Sequence, residues 1–334
     1  MRSIPSSACC PKLKRRAWLG APALLSPGFA KAEADGVPVS GQTLSVGPDL
    51  PLRTLAQALR RAGAGDTLTL QAGTYAGDVG VITQPYLTLR GLGTGAILRA
   101  DGKHAEGKAI LVVRAPGVRI ENLEFRGARV PAGNGAGIRF EAGTLVLERC
   151  RFLDNEMGLL SANGSDMHLV VQSCEFGDAP RHDSGQLHHL LYVGAIGSCV
   201  VLHSRFGNGW RGHLLKSRAA VNRILWNELV DGPDGESSYE LEFPNGGDNL
   251  VQGNRIEQSA RTQNPALLSM GAEAGGRHGG RLVLRDNRFV NHHSGTPEAP
   301  ARFVHLWHER LAGPVEVVDE GNVFEGPGLR GLPE

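Results

Sequence analysis

One feature constrains this chain more than any other: an internal repeat of uneven length. Phe125, Phe152, Phe176, Phe206, Leu229, Ile256, Phe289 and Phe324 mark it, at steps of 27, 24, 30, 23, 27, 33 and 35 residues. Five positions before the first seven marks stand Ile120, Leu147, Val171, Val201, Ile224, Val251 and Leu284, all apolar. Two positions before the marks stand Leu123, Cys150, Cys174, Ser204, Asn227, Asn254, Asn287 and Asn322. A period in the twenties broken by irregular insertions describes a β-solenoid whose coils differ in loop length. The run of asparagines at one register position supports it. Inward residues of successive coils lie about 4.8 Å apart, so stacked amides can bond to one another and to turn backbone. Abundant glycine (46 residues) and few aromatics (5%) suit short strands and tight turns rather than a helical bundle.

The first 32 residues read as an export signal. Lys12, Lys14, Arg15 and Arg16 precede the small, apolar run from Ala17 to Ala30, and Ala30 and Ala32 form an A-x-A cleavage pattern. Arg15-Arg16-Ala17-Trp18-Leu19 is similar to a twin-arginine signal, with an ordinary secretory signal as the alternative. The apolar run is too short and too broken by proline to span a membrane. The domain plan is therefore a signal over 1–32, a solenoid over 33–325 and a disordered tail over 326–334. Cleavage would remove six positive charges and no negative ones, taking the net charge from +1 to −5. That excludes nucleic-acid binding by bulk charge and makes any attraction for an acidic ligand local. Of five cysteines, Cys150, Cys174 and Cys199 would remain, without metal-like spacing. Cys150 and Cys174 share one ladder. A disulfide there is one reading and two buried thiols the other.

Leu55 to Ala62 has helical apolar spacing. It is followed by a Gly65-Asp66-Thr67 strand start and a Gly73-Thr74-Tyr75 turn. This opening resembles that of right-handed parallel β-helix proteins, in which a short N-terminal helix caps the first coil. The asparagine ladder resembles that of the pectate-lyase-like superfamily. The expected fold is thus all-β, a single right-handed parallel β-helix.

Each coil carries a further strand whose alternation sets its faces. Ile138, Leu160, Leu191, Leu215, Leu241 and Leu268 align as core. Arg139, Ser161, Tyr192, Lys216, Glu242 and Ser269 then face outward in one column. Arg218 lies two positions beyond Lys216, and His189 and His213 begin two of these strands. A long groove lined with cations fits an extended polymer carrying a negative group on each unit. For a uronic-acid polymer the matching reaction is β-elimination, which needs the carboxylate neutralised, a base, and a proton for the leaving oxygen. Like charge from Arg218 would favour a free amine on Lys216. Tyr192 could act as acid or base, and His189 and His213 could assist or orient. Arg139, Tyr239, Glu242 and Asn245 are candidate substrate contacts.

Lys216-Ser217, Asn222, Asn227, Gly232 and Asn249 to Asn254 together resemble the Lys-Ser…Asn…Asn…Gly-Asn pattern of the chondroitinase-B and alginate-lyase family. That resemblance spans about residues 55–260. It implies Lys216 as base and Ca²⁺ as the ion that neutralises the uronate. The family's Arg-His-Gly, whose arginine is the acid, is here Phe243-Pro244-Asn245-Gly246-Gly247, so Tyr192, Arg218 or Tyr239 would take that role. The segments His189–Gly194, Gly212–Ala219 and Pro244–Gly247 also resemble a broad group of bacterial β-helix proteins.

Other readings stay open. Lys216 alone could be a solvated surface lysine. His189 and His213 could simply bond to turns, and Tyr239 could pack. Glu240 and Glu242 share a strand face with Cα atoms about 6.5–7 Å apart. That is near an inverting glycosidase's separation, and the pair could hold a metal. The expectation is an exported, periplasmic or secreted monomer with no membrane span, acting as a lyase on an acidic polysaccharide. Non-catalytic binding of a glycan or partner, hydrolysis and epimerisation are the alternatives.

Overall fold

The structure, a computed structural model, describes residues 41–273 and 279–332. The expected signal over 1–32 lies outside them. The strands form three parallel sheets of eleven, ten and nine strands, visited in turn by each coil. This is a parallel β-helix. A typical coil runs through the first-sheet strand Thr144–Glu148, the second-sheet strand Arg151–Leu153 and the third-sheet strand Met157–Ser161.

The repeat marks fall in a single file in the second sheet. Phe125 pairs with Phe152, Phe152 with Phe176, Phe176 with Phe206, and the file continues through Leu229, Ile256 and Phe289 to Phe324. Phe125, Phe152, Phe176 and Phe206 stack nearly parallel, with centroids 5.0, 4.5 and 4.8 Å apart. The file from Ile120 to Leu284 likewise pairs residue over residue in the first sheet.

Between those two files runs the amide ladder. Asn254 Oδ1 accepts from Asn227 N (2.8 Å) and Asn227 Nδ2 (3.0 Å), while Asn254 Nδ2 donates to Ile224 O (2.8 Å). Asn287 and Asn322 repeat the pattern two coils on. Ser204 and Cys174 continue it in the other direction: Ser204 N donates to Asn227 Oδ1 and Cys174 N to Ser204 Oγ. Cys150 and Cys174 are free thiols within it. The ladder stabilises a corner that needs left-handed backbone. The residue before each ladder position has positive φ, including Asn122 (54°), Arg149 (52°), His203 (51°) and Trp226 (54°). Such conformations are unfavourable for side chains with a Cβ, and the hydrogen bonds that follow hold them.

That corner is short, and from Cys150 onward it is constant; Arg149 and Cys150 alone separate one first-sheet strand from the next second-sheet strand. The irregular spacing arises at the two corners beside the third sheet. Residues 178–190, 231–240 and 292–301 lead into it, and 307–314 lead out.

A helix at Leu55–Arg61 begins on Thr54, whose Oγ1 accepts from Gln57 N (3.1 Å), and buries Leu55, Ala58 and Leu59. At the other end the structure corrects an expectation. Residues 326–332 are not a loose tail. Leu329 N donates to Ala301 O, and Phe303 N and Val304 N donate to Leu329 O and Arg330 O (2.9, 2.9 and 3.1 Å). Strand pairing gives these residues their backbone partners.

Candidate active site

The third sheet carries the outward column. Arg139, Leu160, Tyr192, Lys216, Glu242, Ser269 and His305 pair in sequence across its strands. Leu160 replaces Ser161 in that column. The core position of this coil is Leu159, which pairs with Ile138 and Leu191, so Ser161 lies in register with Phe140. Ser161 Oγ instead bonds to the backbone, accepting from Gly194 N (2.7 Å).

A cleft of about 690 Å³ opens over the column, lined by Arg139, Leu160, His189, Tyr192, Lys216 and Arg218 among others. Lys216 is only 5% exposed, so the solvated-lysine reading does not hold. Its Nζ lies 3.0 Å from Glu242 Oε2 and 2.6 Å from Glu273 Oε1. Arg218 makes three contacts: Nε donates to Tyr192 Oη (2.9 Å), Nη1 to Asn245 Oδ1 (2.8 Å) and Nη2 to Glu273 Oε2 (2.5 Å). Lys216, Arg218, Tyr192, Glu242 and Asn245 are therefore brought together. Arg139 lies three coils away from Lys216 in the same cleft, its Nε 3.6 Å from Glu141 Oε1.

Glu273 was not anticipated. It belongs to the irregular corner after the strand Ala266–Met270 and follows no repeat register. Its carboxylate bridges the two cations, which overcome partial burial and hold it at about 2.

Beneath the cleft, His189 and His213 are buried with rings 4.8 Å apart. His189 Nδ1 accepts from His213 N (2.9 Å) and His213 Nδ1 accepts from Tyr239 N (3.3 Å). Both Nδ1 atoms are thus acceptors, which places the proton of each neutral ring on Nε2. His213 Nε2 lies 2.8 Å from Glu242 Oε2, an ion-pair contact. Burial lowers both histidines, and the charges of His213 and Lys216 lower His189 further. Burial would raise Glu242, but His213 and Lys216 together pull it below the usual carboxylate range. Tyr239 is buried against His213, their rings 5.2 Å apart, and burial followed by Glu242's charge raises it.

The expected pair of Glu240 and Glu242 is split by its surroundings. Glu240 is fully buried, accepts from Ser237 Oγ (2.9 Å), and is pushed well up by burial and by Asp231. Its Oε2 has no partner. Calcium does not fit this site. It requires six to eight oxygen ligands, whereas Glu242 and Glu273 are turned onto Lys216, Arg218 and His213.

No protein-family model matches the sequence, and no curated protein matches it. Among solved structures, a pectate lyase, Pel9A, aligns with a TM-score of 0.52 at 13% identity, covering 86% of this chain and 80% of that one. An alginate lyase from Paenibacillus sp. str. FPU-7 aligns at 0.39 and 14% identity, covering 86% and 99%. A pectin methylesterase aligns at 0.42 and 10% identity, covering 85% and 94%. The shared property is the fold. Among the described residues, no helix is long and apolar enough to cross a membrane.

Proposed function

We propose that this β-helix is an exported lyase that cleaves a uronic-acid polymer by β-elimination in the third-sheet cleft. One observation carries the reading: Glu273 lays a carboxylate across Lys216 Nζ and Arg218 Nη2. A sugar carboxylate has the same charge and bite, and would enter by displacing it. Neutralising that group acidifies the adjacent C5–H. Arg218 holds and neutralises the carboxylate, while Lys216 gives its proton to solvent as Glu273 leaves and, now a free amine, takes the C5 proton; the electrons form the C4–C5 double bond, and the C4–O bond breaks. Tyr192 gives its proton to the departing oxygen. Its own oxygen already accepts from Arg218 Nε, which leaves its O–H free to point into the cleft. Transfer from the Lys216 ammonium to the Tyr192 oxygen then restores both groups. His213 and Glu242 position Lys216 from below.

The rival reading is a groove that binds such a polymer without cutting it. The pairing of Lys216 with two carboxylates favours that reading, because a paired ammonium is not a base. Purified protein mixed with alginate, pectate and glycosaminoglycans separates the two. Absorbance of an unsaturated uronate that disappears in Lys216→Ala but survives in Arg205→Gln, on another sheet, supports elimination. Binding with neither absorbance nor new reducing ends overturns it in favour of the groove. New reducing ends without absorbance overturn it in favour of hydrolysis.

A further inference from the structure

At the base of the cleft wall, away from the Lys216 cluster, three side chains converge. Glu156 follows the second-sheet strand Arg151–Leu153 and is 3% exposed. Its Oε2 accepts from Gly135 N (2.7 Å) and Val130 N (3.2 Å). Its Oε1 faces His182 Nε2 at 3.7 Å, too far for a hydrogen bond. His188 is completely buried, with Nδ1 2.9 Å from the carbonyl oxygen of Pro180. A carbonyl only accepts, so Nδ1 bears the proton and Nε2 presents a lone pair. Ser184 Oγ lies 2.7 Å from that Nε2. One ligand atom from each of Glu156, His182 and His188 lies within 4.8 Å of the others.

We propose that Glu156, His182 and His188 bind a divalent transition-metal cation, with zinc the best match. Two imidazole nitrogens and one carboxylate oxygen are a zinc donor set, with a fourth position left for Ser184 or water. A ligand histidine is characteristically oriented by donating its other N–H to a carbonyl or carboxylate, as His188 does to Pro180. Glu156 is fixed in the same way by two backbone donors. Calcium or magnesium would want more oxygen. The nearby cation Arg129 is neutralised by Asp154, Nη2 to Oδ1 2.6 Å. To close the set, His182, the exposed member, has to swing inward and Ser184 has to give up its hydrogen bond to His188 Nε2.

The ion would act as a clamp. His182 and His188 bracket a stretch that carries Gln186 and Leu187 on the cleft wall, and Glu156 belongs to the preceding coil. Metal binding would tie the wall to the stack. The inference does not depend on the reaction proposed above.

The test is titration of chelator-stripped protein with zinc chloride and, separately, cobalt chloride. Calorimetry should give one zinc per chain, and cobalt should give visible bands of a nitrogen- and oxygen-bound ion. Changing an outer-shell partner costs about 10–100-fold in affinity, so losing a ligand should cost at least about 100-fold. His182→Ala, at an exposed position that leaves the core intact, should show that loss and no cobalt bands. His293→Ala, elsewhere on the molecule, should bind as the parent does. Zinc should also slow proteolysis between residues 178 and 188 in the parent but not in His182→Ala. Failure of the parent to bind zinc stoichiometrically, or equal binding by His182→Ala, overturns the proposal.

Discussion

The second sheet and the third sheet of this protein are stacked by the same rule and filled by opposite ones. In the second sheet a register position repeats itself: Phe152 over Phe125, Phe176 over Phe152. In the third sheet the outward position changes at every coil, from Arg139 to Leu160, Tyr192, Lys216, Glu242, Ser269 and His305. Like stacked on like lets each coil bury the same surface and complete the same hydrogen bonds. Unlike stacked on unlike gains nothing from repetition. The third sheet's own inward file repeats as well, through Ile138, Leu159, Leu191, Leu215, Leu241 and Leu268, so the variety belongs to its outward face, as a binding surface would require.

The comparison can be broken by asking each sheet for the other's property. The largest effect should come from Lys216→Ala, with elimination falling about 10²–10⁴-fold in the protein that folds; leaving the buried Glu242 without its lysine costs stability as well. Elimination retained by the folded variant would put Lys216 among the structural residues. Phe176→Ala should do the reverse, costing about 3–5 kcal/mol in denaturant unfolding with the cleft chemistry preserved in the folded fraction. Asn254→Ala should cost about 1–3 kcal/mol for each group orphaned, namely Asn227 N and Ile224 O. A neutral result would show that water replaces the ladder.

Buried ionisable groups give opposite pH slopes. His188, His189 and His213 are lowered from 6.5 by burial, so their contribution is complete above that pH and is lost as pH falls below it. Glu240 is raised from 4.5 by burial and Asp231. Its contribution is present below that pH and lost as pH rises through the folded-state value. Glu240→Gln should therefore gain stability over the parent as pH goes from about 5 to about 8. A constant difference would place an ionised carboxylate in the core. The smallest effect should come from Glu273→Gln. An exposed ion pair contributes about 0–1 kcal/mol, so removing this competitor should tighten binding of an acidic glycan by up to about fivefold. Weaker binding would mean that Glu273 supports the site rather than filling it.

The repeat made the second sheet legible before any coordinates. Phenylalanine at one position, an aliphatic five before it and an amide two before it over-determine the register. The third sheet was legible at Leu241, which stands alone between Glu240 and Glu242, and the same register carries Leu191 and Leu215, each the second of two leucines. It was ambiguous in Met157–Ser161, where Leu159 and Leu160 are adjacent and alternation admits either as core. Packing selects Leu159 and brings Leu160 to the cleft. The ion pairs of Lys216 were hidden for another reason. Its like-charged neighbour Arg218 is two residues away in sequence, whereas its counter-charges are 26 and 57 residues away. Glu273 lies on an irregular corner, so no periodicity could have reported it.

The two uneven corners beside the third sheet have a consequence for how such a protein can change. From the coil of Cys150 onward, every insertion that lengthens a coil emerges at the margin of the cleft, and none disturbs the two-residue bend that carries the amides. Residues can thus be added to or removed from the segments at 178–190 or 231–240 without re-registering a single strand. Shuffling loop lengths at those borders, on an untouched spine, is an economical route to a family of clefts that differ in the polymer they admit.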